Sequence, residues 1–247
     1  ATLSDLSQAG YRAFFIGTGA GLPSFMNVPG ENLSGVCSAN EYLTRVNLMK
    51  AARFPEYDTP VPVVKKAAVI GGGNVAMDSV RTALRLGARE ATIYYRRSRV
   101  EMPARVEEVK HAEEEGIKFN FLTVPVRYLG DDKGKLNGIV LQRLTLGEPD
   151  ASGRRRPVPV PGSEFEVEAE LAVVAIGQSP NPLLIRQVDG LNLGRWGNVE
   201  VNPSTMATSL EGIYAGGDAV RGGATVILAM GDGRRAARAI DQWLTKC

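Results

Sequence analysis

The chain has 247 residues, 44% of them hydrophobic and 23% charged, and its 29 basic and 27 acidic side chains leave a net charge of +2. That composition is ordinary for a globular protein of one large or two small domains, and its charge makes no case for nucleic acid or an anionic membrane. No apolar stretch approaches the roughly 20 residues that span a bilayer, and the two cysteines, Cys37 and Cys247, can neither form a C-x-x-C pair nor hold an iron–sulfur cluster.

Both thiols read as free in a reducing cytoplasm. The first residue is Ala rather than Met, and Ser4–Ala9 already reads as a short helix, so the chain looks as though it begins in the middle of a fold. Tyr11–Ile16 reads as a buried strand ending in the loop Gly17-Thr18-Gly19-Ala20. Pro23 to Pro62 is a mixed segment. Within it Ser38–Ala52 is predicted helical, with Ser38 as N-cap and Glu41 completing a capping box. Pro55, Pro60 and Pro62 make a stiff connector.

Residues 67–97 carry the clearest pattern. An apolar strand ends at Ile70, then come Gly71-Gly72-Gly73-Asn74-Val75-Ala76-Met77-Asp78, a helix, and a second strand running through Tyr95 into Arg96-Arg97. A G-x-G-x-x-A turn between strand and helix suits a dinucleotide. Gly71 allows the tight turn, Gly73 lets backbone approach the pyrophosphate, and Ala76 permits close strand–helix packing. The diphosphate then meets the free N–H groups of the helix N-terminus. Where NAD binders place an acidic side chain, Arg96 and Arg97 stand instead, and guanidinium groups suit a 2′-phosphate. The pattern points to NADP(H). The plainer alternative is a Gly-rich strand–helix turn without a ligand.

Pro103 is predicted to open a helix that runs through Glu115 and stops at Gly116. His111, the only histidine, reads as exposed on its solvated face. Ile117–Thr123, Pro125–Leu129, Leu136–Leu146 and Glu164–Ala175 read as strands of an antiparallel meander, with a turn at Asp131-Asp132-Lys133-Gly134. Asp150–Gly162 reads as a Pro-rich loop whose Arg154-Arg155-Arg156 run is solvated rather than a binding patch. Strand-then-glycine phrases return at Leu171–Gly177, followed by Gln178-Ser179-Pro180-Asn181-Pro182, and at Gly212–Asp218. Three such endings suggest two related nucleotide folds, although any buried α/β strand can end this way. The last helix is predicted over Ala224–Thr245, with Val226, Met230, Ala237, Ile240 and Leu244 facing inward. Gly231 and Gly233 inside it suggest close packing or a ligand.

The Gly71–Asp78 phrase, Tyr95-Arg96-Arg97-Ser98 with Met102-Pro103-Ala104, and Ala215-Gly216-Gly217-Asp218 with Ala224-Thr225-Val226 together resemble the small (beta) subunit family of NADPH-dependent glutamate synthase. The same motifs mark the large subunit of NADH-dependent ferredoxin:NADP oxidoreductase, sulfide dehydrogenase, and the flavin/NADPH part of dihydropyrimidine dehydrogenase. The resemblance covers essentially the whole chain. It implies an α/β flavoprotein in which a Rossmann-like NADP(H)-binding domain (residues 36–180) is inserted into an FAD-binding domain (1–35 and 181–247). It implies that Gly73, Asn74, Val75 and Ala76 hold the NADP pyrophosphate, Arg96 and Arg97 the 2′-phosphate, and Ala175, Ile176 and Gly177 the nicotinamide side. On the flavin side, Gly17, Thr18 and Gly19 approach FAD, and Gly217-Asp218 bond the ribityl chain. The helix from Ala224, Thr225 and Val226 aims its positive end at the flavin ring, where reduced flavin carries negative charge.

Family members begin with a cysteine-rich iron–sulfur segment and an FAD diphosphate turn, and neither is in this sequence. The resemblance thus implies an incomplete FAD site, and an iron–sulfur segment or separate subunit as partner. Electrons then go on to a glutamate synthase large subunit or a ferredoxin-type acceptor. No catalytic acid or base and no metal site is expected, because the cofactors carry the chemistry. Two functions stay open: a hydride-transferring oxidoreductase module, and an NADP(H)-binding module or fragment without flavin. A thioredoxin-reductase-like enzyme is disfavoured by the missing C-x-x-C.

Overall fold

The structure, a computed structural model, describes residues 2–150 and 153–246; Cys247 lies outside the described residues. In chain order the elements are α1 (Leu3–Gln8), β1 (Phe14–Ile16), β2 (Leu22–Pro23), β3 (Val36–Ser38), α2 (Ala39–Asn47), β4 (Lys66–Ile70), α3 (Asn74–Arg85) and β5 (Glu90–Tyr95). Then come α4 (Val106–Glu114), β6 (Lys118–Phe121), β7 (Thr123–Gly130), β8 (Leu136–Pro149), β9 (Arg155–Pro159), β10 (Phe165–Glu168), β11 (Leu171–Val174) and β12 (Gln178–Ser179). The chain closes with α5 (Pro182–Ile185), β13 (Ile213–Ala215), α6 (Asp218–Arg221) and α7 (Val226–Lys246). It divides into two units: residues 24–176, and residues 1–23 with 177–247. One unit is thus inserted in the sequence of the other.

The inserted unit is built on a five-stranded, all-parallel sheet in the order β3-β11-β4-β5-β6. Side chains alternate across a strand, and here both faces are apolar. Ala67 and Val69 of β4, with Leu171 and Val173 of β11, pack against Ala76, Met77, Val80 and Ala83 of α3. Ala68, Ile70 and Ala172 point the other way, onto Tyr128, Ile139 and Leu141 of the antiparallel β10-β8-β7 sheet. A strand covered on both faces reads as a continuous apolar run, which is why β4 and β11 were visible in the sequence.

The structure moves several expected boundaries. Residues 24–35 belong to the inserted unit, because they pack on the meander: Tyr128 N–H donates to Pro29 O, Leu136 N–H to Ser34 O, and Leu33 packs beside Tyr128. The Ser38 helix ends at Asn47, and Lys50 takes a left-handed backbone (φ 53°) before a short 3₁₀ turn at Ala51–Arg53. Ser38 Oγ accepts from Glu41 N–H, but the Glu41 carboxylate pairs with Arg45 rather than returning to the cap. Pro103 does not open α4; it lies in an extended link, and the helix starts at Val106. Glu164–Ala175 is not one strand but two in different sheets, parted at Ala169-Glu170, where Glu170 N–H donates to Lys66 O and its carboxylate accepts from Lys65 N–H. The Asp150–Gly162 segment contains β9.

In the other unit β1 and β13 pair in parallel, Phe14 opposite Ile213, and α7 packs on β13. The connectors β2 and β12 pair antiparallel. The inward face of α7 differs from the expected one. Val226 and Met230 are 75% and 63% exposed, whereas Asp232 and Ala236 are buried, with Ala239 and Ile240 beside them. The acid occupies the apolar stripe because it is fully bonded. Its carboxylate accepts from Gly217 N–H (3.0 Å), from Arg221 Nε and Nη2 (2.7 Å each), and from Arg235 Nη2.

The Arg221 guanidinium holds the Asp232 carboxyl down at about 2, below an ordinary carboxylate. A depressed acid stabilises the fold above its unfolded pKa, near 4, and that stabilisation is lost as pH falls towards 2. Asp232→Asn is expected to cost about 2–4 kcal/mol near neutral pH. The gap between wild type and variant should close between about pH 4 and pH 2 in chemical unfolding followed by circular dichroism.

Candidate functional site

β4 runs out at Ile70 and the chain turns through three glycines into α3, each glycine in a different setting. Gly71 takes φ +148°, its N–H donates to Tyr94 O, and a Cβ built on it would lie 2.3 Å from Ala175 O. The close passage of the β11 end forces glycine here, whatever binds. At Gly72 a Cβ would meet the Tyr95 ring at 2.7 Å. Gly73, the N-cap of α3, is extended, and a Cβ there would meet nothing within 4 Å. The turn is thus packed on its first two residues and open on the third, the position expected to face a diphosphate.

The residues after it share the work. Ala76 is fully buried in the α3 face of the core, while Val75 is half exposed. Asn74 Oδ1 accepts from Arg105 N–H at 2.9 Å, and Gly72 O accepts from Ala104 N–H at 3.1 Å. The Met102-Pro103-Ala104 phrase is therefore the strap that ties the glycine turn to α4.

The two arginines after β5 are not equivalent. Arg96 is exposed. Arg97, expected beside it on a phosphate, is 4% exposed: its Nη2 donates to Asp150 Oδ2 at 2.6 Å and its Nε to Arg155 O at 2.7 Å. Among the described residues, Arg97 and Asp232 are the buried charged side chains. Sequence reasoning found neither Arg97's partners nor the Asp232 cluster. The signal for Asp232 was a 3–4 spacing through Ala229, Asp232, Ala236 and Ile240, masked by the acid within it.

Ala175 continues β11, its N–H donating to Ile70 O at 2.8 Å. Ile176 is 43% exposed, and Gly177 takes φ +114°. In the other unit, Gly17, Thr18 and Gly19 follow β1, and Gly216-Gly217-Asp218 follow its partner β13, with Gly216 N–H donating to Ile16 O. The two loops therefore leave adjacent strand ends. Asp218 Oδ1 accepts from Ala224 N–H (3.1 Å), and Thr225 Oγ1 accepts from Leu228 N–H (3.4 Å) at the start of α7. Val226 is exposed, and a Cβ at Gly233 would meet nothing within 4 Å, so close packing does not account for that glycine.

His111 is exposed, and among the described residues no group of three or more His, Cys, Asp or Glu could hold a metal ion. Cys37 is half-buried, and burial pushes its thiol up to about 12. No helix among the described residues is long and apolar enough to cross a membrane.

Two nucleotide-type strand–turn–helix units, one inserted in the other, define an α/β pyridine-nucleotide oxidoreductase architecture. The family model described as pyridine nucleotide-disulphide oxidoreductase matches residues 2–233, and the chain belongs to that family. It is 46% identical over 243 residues to the NADP(+)-dependent formate dehydrogenase subunit beta of Moorella thermoacetica, covering 97% of this chain and 33% of that one. It is 38% identical over 244 residues to the glutamate synthase [NADPH] small chain of Azospirillum brasilense, covering 97% of this chain and 50% of that one. The chain thus spans a third to a half of the length of these relatives. Its fold matches Mycobacterium tuberculosis FprA, solved in complex with NADPH, with a TM-score of 0.77 at 21% identity, covering 98% of this chain and 66% of that one.

The glycine turn predicts a split between neighbours. Gly71→Ala should destabilise the fold by about 3 kcal/mol or more, because its Cβ meets backbone that cannot step aside. Gly73→Ala should cost no more than about 1 kcal/mol, the difference between caps. Melting curves of the two variants without ligand check this.

Proposed function

We propose that this chain is the NADP(H)-binding and hydride-transfer module of a flavoprotein oxidoreductase. The observation that carries the reading is the reversal of strand order at β4. The chain runs outward from β4 through β5 to β6, then returns to place β11 on the other side of β4. In open α/β sheets the crevice at such a switch point, beyond the carboxyl ends of the strands, is where ligands bind. Here that crevice is flanked by Gly71 and Ala175, with the open Gly73 at the α3 N-terminus and Arg96 at the end of β5.

The fit to the nucleotide is specific in kind. Gly73 leaves room for a diphosphate where a side chain would intrude, and the first turn of α3 offers unpaired N–H groups. Arg96 meets the 2′-phosphate, Arg97 supports from behind, and Ala175 to Gly177 run beside the nicotinamide. On the flavin side, Asp218 and the Thr225 end of α7 suit a sugar chain and the ring edge, with the Gly17–Gly19 loop beside them. A bound flavin would accept hydride from the nicotinamide and pass electrons on singly. An iron–sulfur segment or subunit would take those electrons, for a glutamate synthase large subunit or a ferredoxin-type acceptor. The setting is cytoplasmic.

Arg96→Gln is expected to weaken NADPH by about 10- to 100-fold, the loss of one charge-assisted contact, and to lower the NADPH-to-NADH affinity ratio by the same factor. Fluorescence titration of both nucleotides reads this out, and equal losses for the two would refute the 2′-phosphate assignment.

A second reading, an NADP(H)-binding module without flavin, is favoured by one feature. Residues 71–76 form the G-x-G-x-x-A turn, and no second turn of that kind serves the Asp218 unit. A few hydrogen bonds of about 0.5–1.5 kcal/mol each do not offset an association cost of at least about 4 kcal/mol. The 247-residue chain alone is therefore expected to bind NADPH yet purify with flavin well below one per chain. The visible absorption spectrum decides, and a stoichiometric flavin would overturn the second reading.

A further inference from the structure

Arg97 is bound to a hairpin that is remote in sequence. Both of its bonded partners, the Asp150 carboxylate and the Arg155 carbonyl, lie where β8 and β9 meet. The hairpin is closed by Asp150 N–H donating to Arg154 O at 2.7 Å and Gly153 N–H to Asp150 O at 2.9 Å. β8 and β9 pair from Pro149 opposite Arg155 to Leu144 opposite Pro159. The Arg155 side chain is turned along the hairpin, its Nη2 donating to Leu146 O at 2.8 Å. Buried as it is, Arg97 has two of its nitrogens committed, and it fixes the backbone next to Arg154 at the carboxyl end of β5.

We propose that Arg97 is a clamp rather than a phosphate ligand, and that Arg154, carried to the end of β5 by the clamped hairpin, joins Arg96 as a cation for the 2′-phosphate of NADP(H). This rests on the reading of the β4–β11 crevice as an NADP(H) site. The charges favour it. Arg96, though exposed, is held below the ordinary guanidinium value, first by partial desolvation against the protein and then by the field of Arg97, with Arg154 adding to it and Tyr95 and Asp150 opposing it. The positive charges of Arg97 and Arg154 thus act on Arg96, and a dianionic phosphate placed among them would relieve that repulsion. The Asp150 carboxylate is spent on the buried Arg97, where it satisfies a charge that could not otherwise stay inside. Asp150 and Arg97 are positioning residues; Arg96 and Arg154 are the proposed phosphate contacts.

The test is the ratio of NADPH to NADH affinity at fixed, low ionic strength in the 247-residue chain and its variants. Arg154→Gln is expected to lower that ratio about tenfold, and Arg154→Lys to keep most of it. Asp150→Asn, which loosens the clamp, should lower the ratio in the same direction. Adding Arg154→Gln to it should then change little, because the two act through one contact. Arg154 is exposed, so its variants test the idea even if Asp150→Asn lowers the melting temperature. If Arg154→Gln leaves the ratio within about twofold while Arg96→Gln collapses it, the role of Arg154 is overturned and the NADP(H) site stands. If Arg96→Gln also leaves the ratio unmoved, the 2′-phosphate assignment at the end of β5, on which the proposal rests, falls.

Discussion

The approach of Gly71 to the Ala175 carbonyl governs the geometry of the inserted unit. Two parallel strands, β4 and β11, end side by side so closely that a methyl group on Gly71 would sit 2.3 Å from an oxygen. That proximity sends the chain sharply into α3, sets the helix N-terminus beyond the carboxyl end of the central strand, and leaves Gly73 open. The interior supports the same placement. Ala67 and Ala68 keep the strand thin where it enters, and fully buried Ala76, Met77 and Val80 seat α3 on one face. Ile139 and Leu141 close the other face. Gly71 is thus a packing requirement and Gly73 a binding opportunity, although the motif presents them as one pattern.

The buried charges repeat this division of labour. Asp232 sits inside α7 and takes hydrogen bonds from Gly217 and two arginines, so the turn leading to Asp218 is anchored from within. Arg97 sits inside the other unit and holds a hairpin by its carboxylate and its backbone. A buried ion is costly unless it is paired and hydrogen-bonded, and each pairs with residues of a loop that flanks a candidate ligand position. In both units a loop after a sheet strand is braced by a buried ion.

Legibility followed the range of the interaction. The strand–turn–helix unit at residues 66–97 was readable because the pattern that announces it lies within thirty-odd residues: the apolar run, the glycines, the helix stripe and the second strand. The meander was readable as strands, yet the break at Ala169-Glu170 was not, since Val167 to Ala175 is apolar apart from two glutamates. What marks the break is Glu170 bonding to Lys65 and Lys66, more than a hundred residues earlier. Arg97 looked like Arg96's twin because its carboxylate is 53 positions away. The inward face of α7 was misplaced because an acid in an apolar stripe scores as solvent-facing until its partners, Arg221 and Gly217, are known.

The bond between Arg97 and the β8–β9 hairpin bears on how portable the first strand–turn–helix–strand unit is. Lifted out as a cassette and grafted into another sheet, residues 66–97 would bring their glycines and helix, but leave behind the β11 end at Ala175 that crowds Gly71. They would also bring a guanidinium built for the interior, without the carboxylate and carbonyl that neutralise it. The graft would have to solvate Arg97, and the end of β5 would splay to do so. The transplantable piece is therefore not the local motif alone but the motif together with the β11 end and the hairpin, discontinuous segments that the chain joins only through its fold.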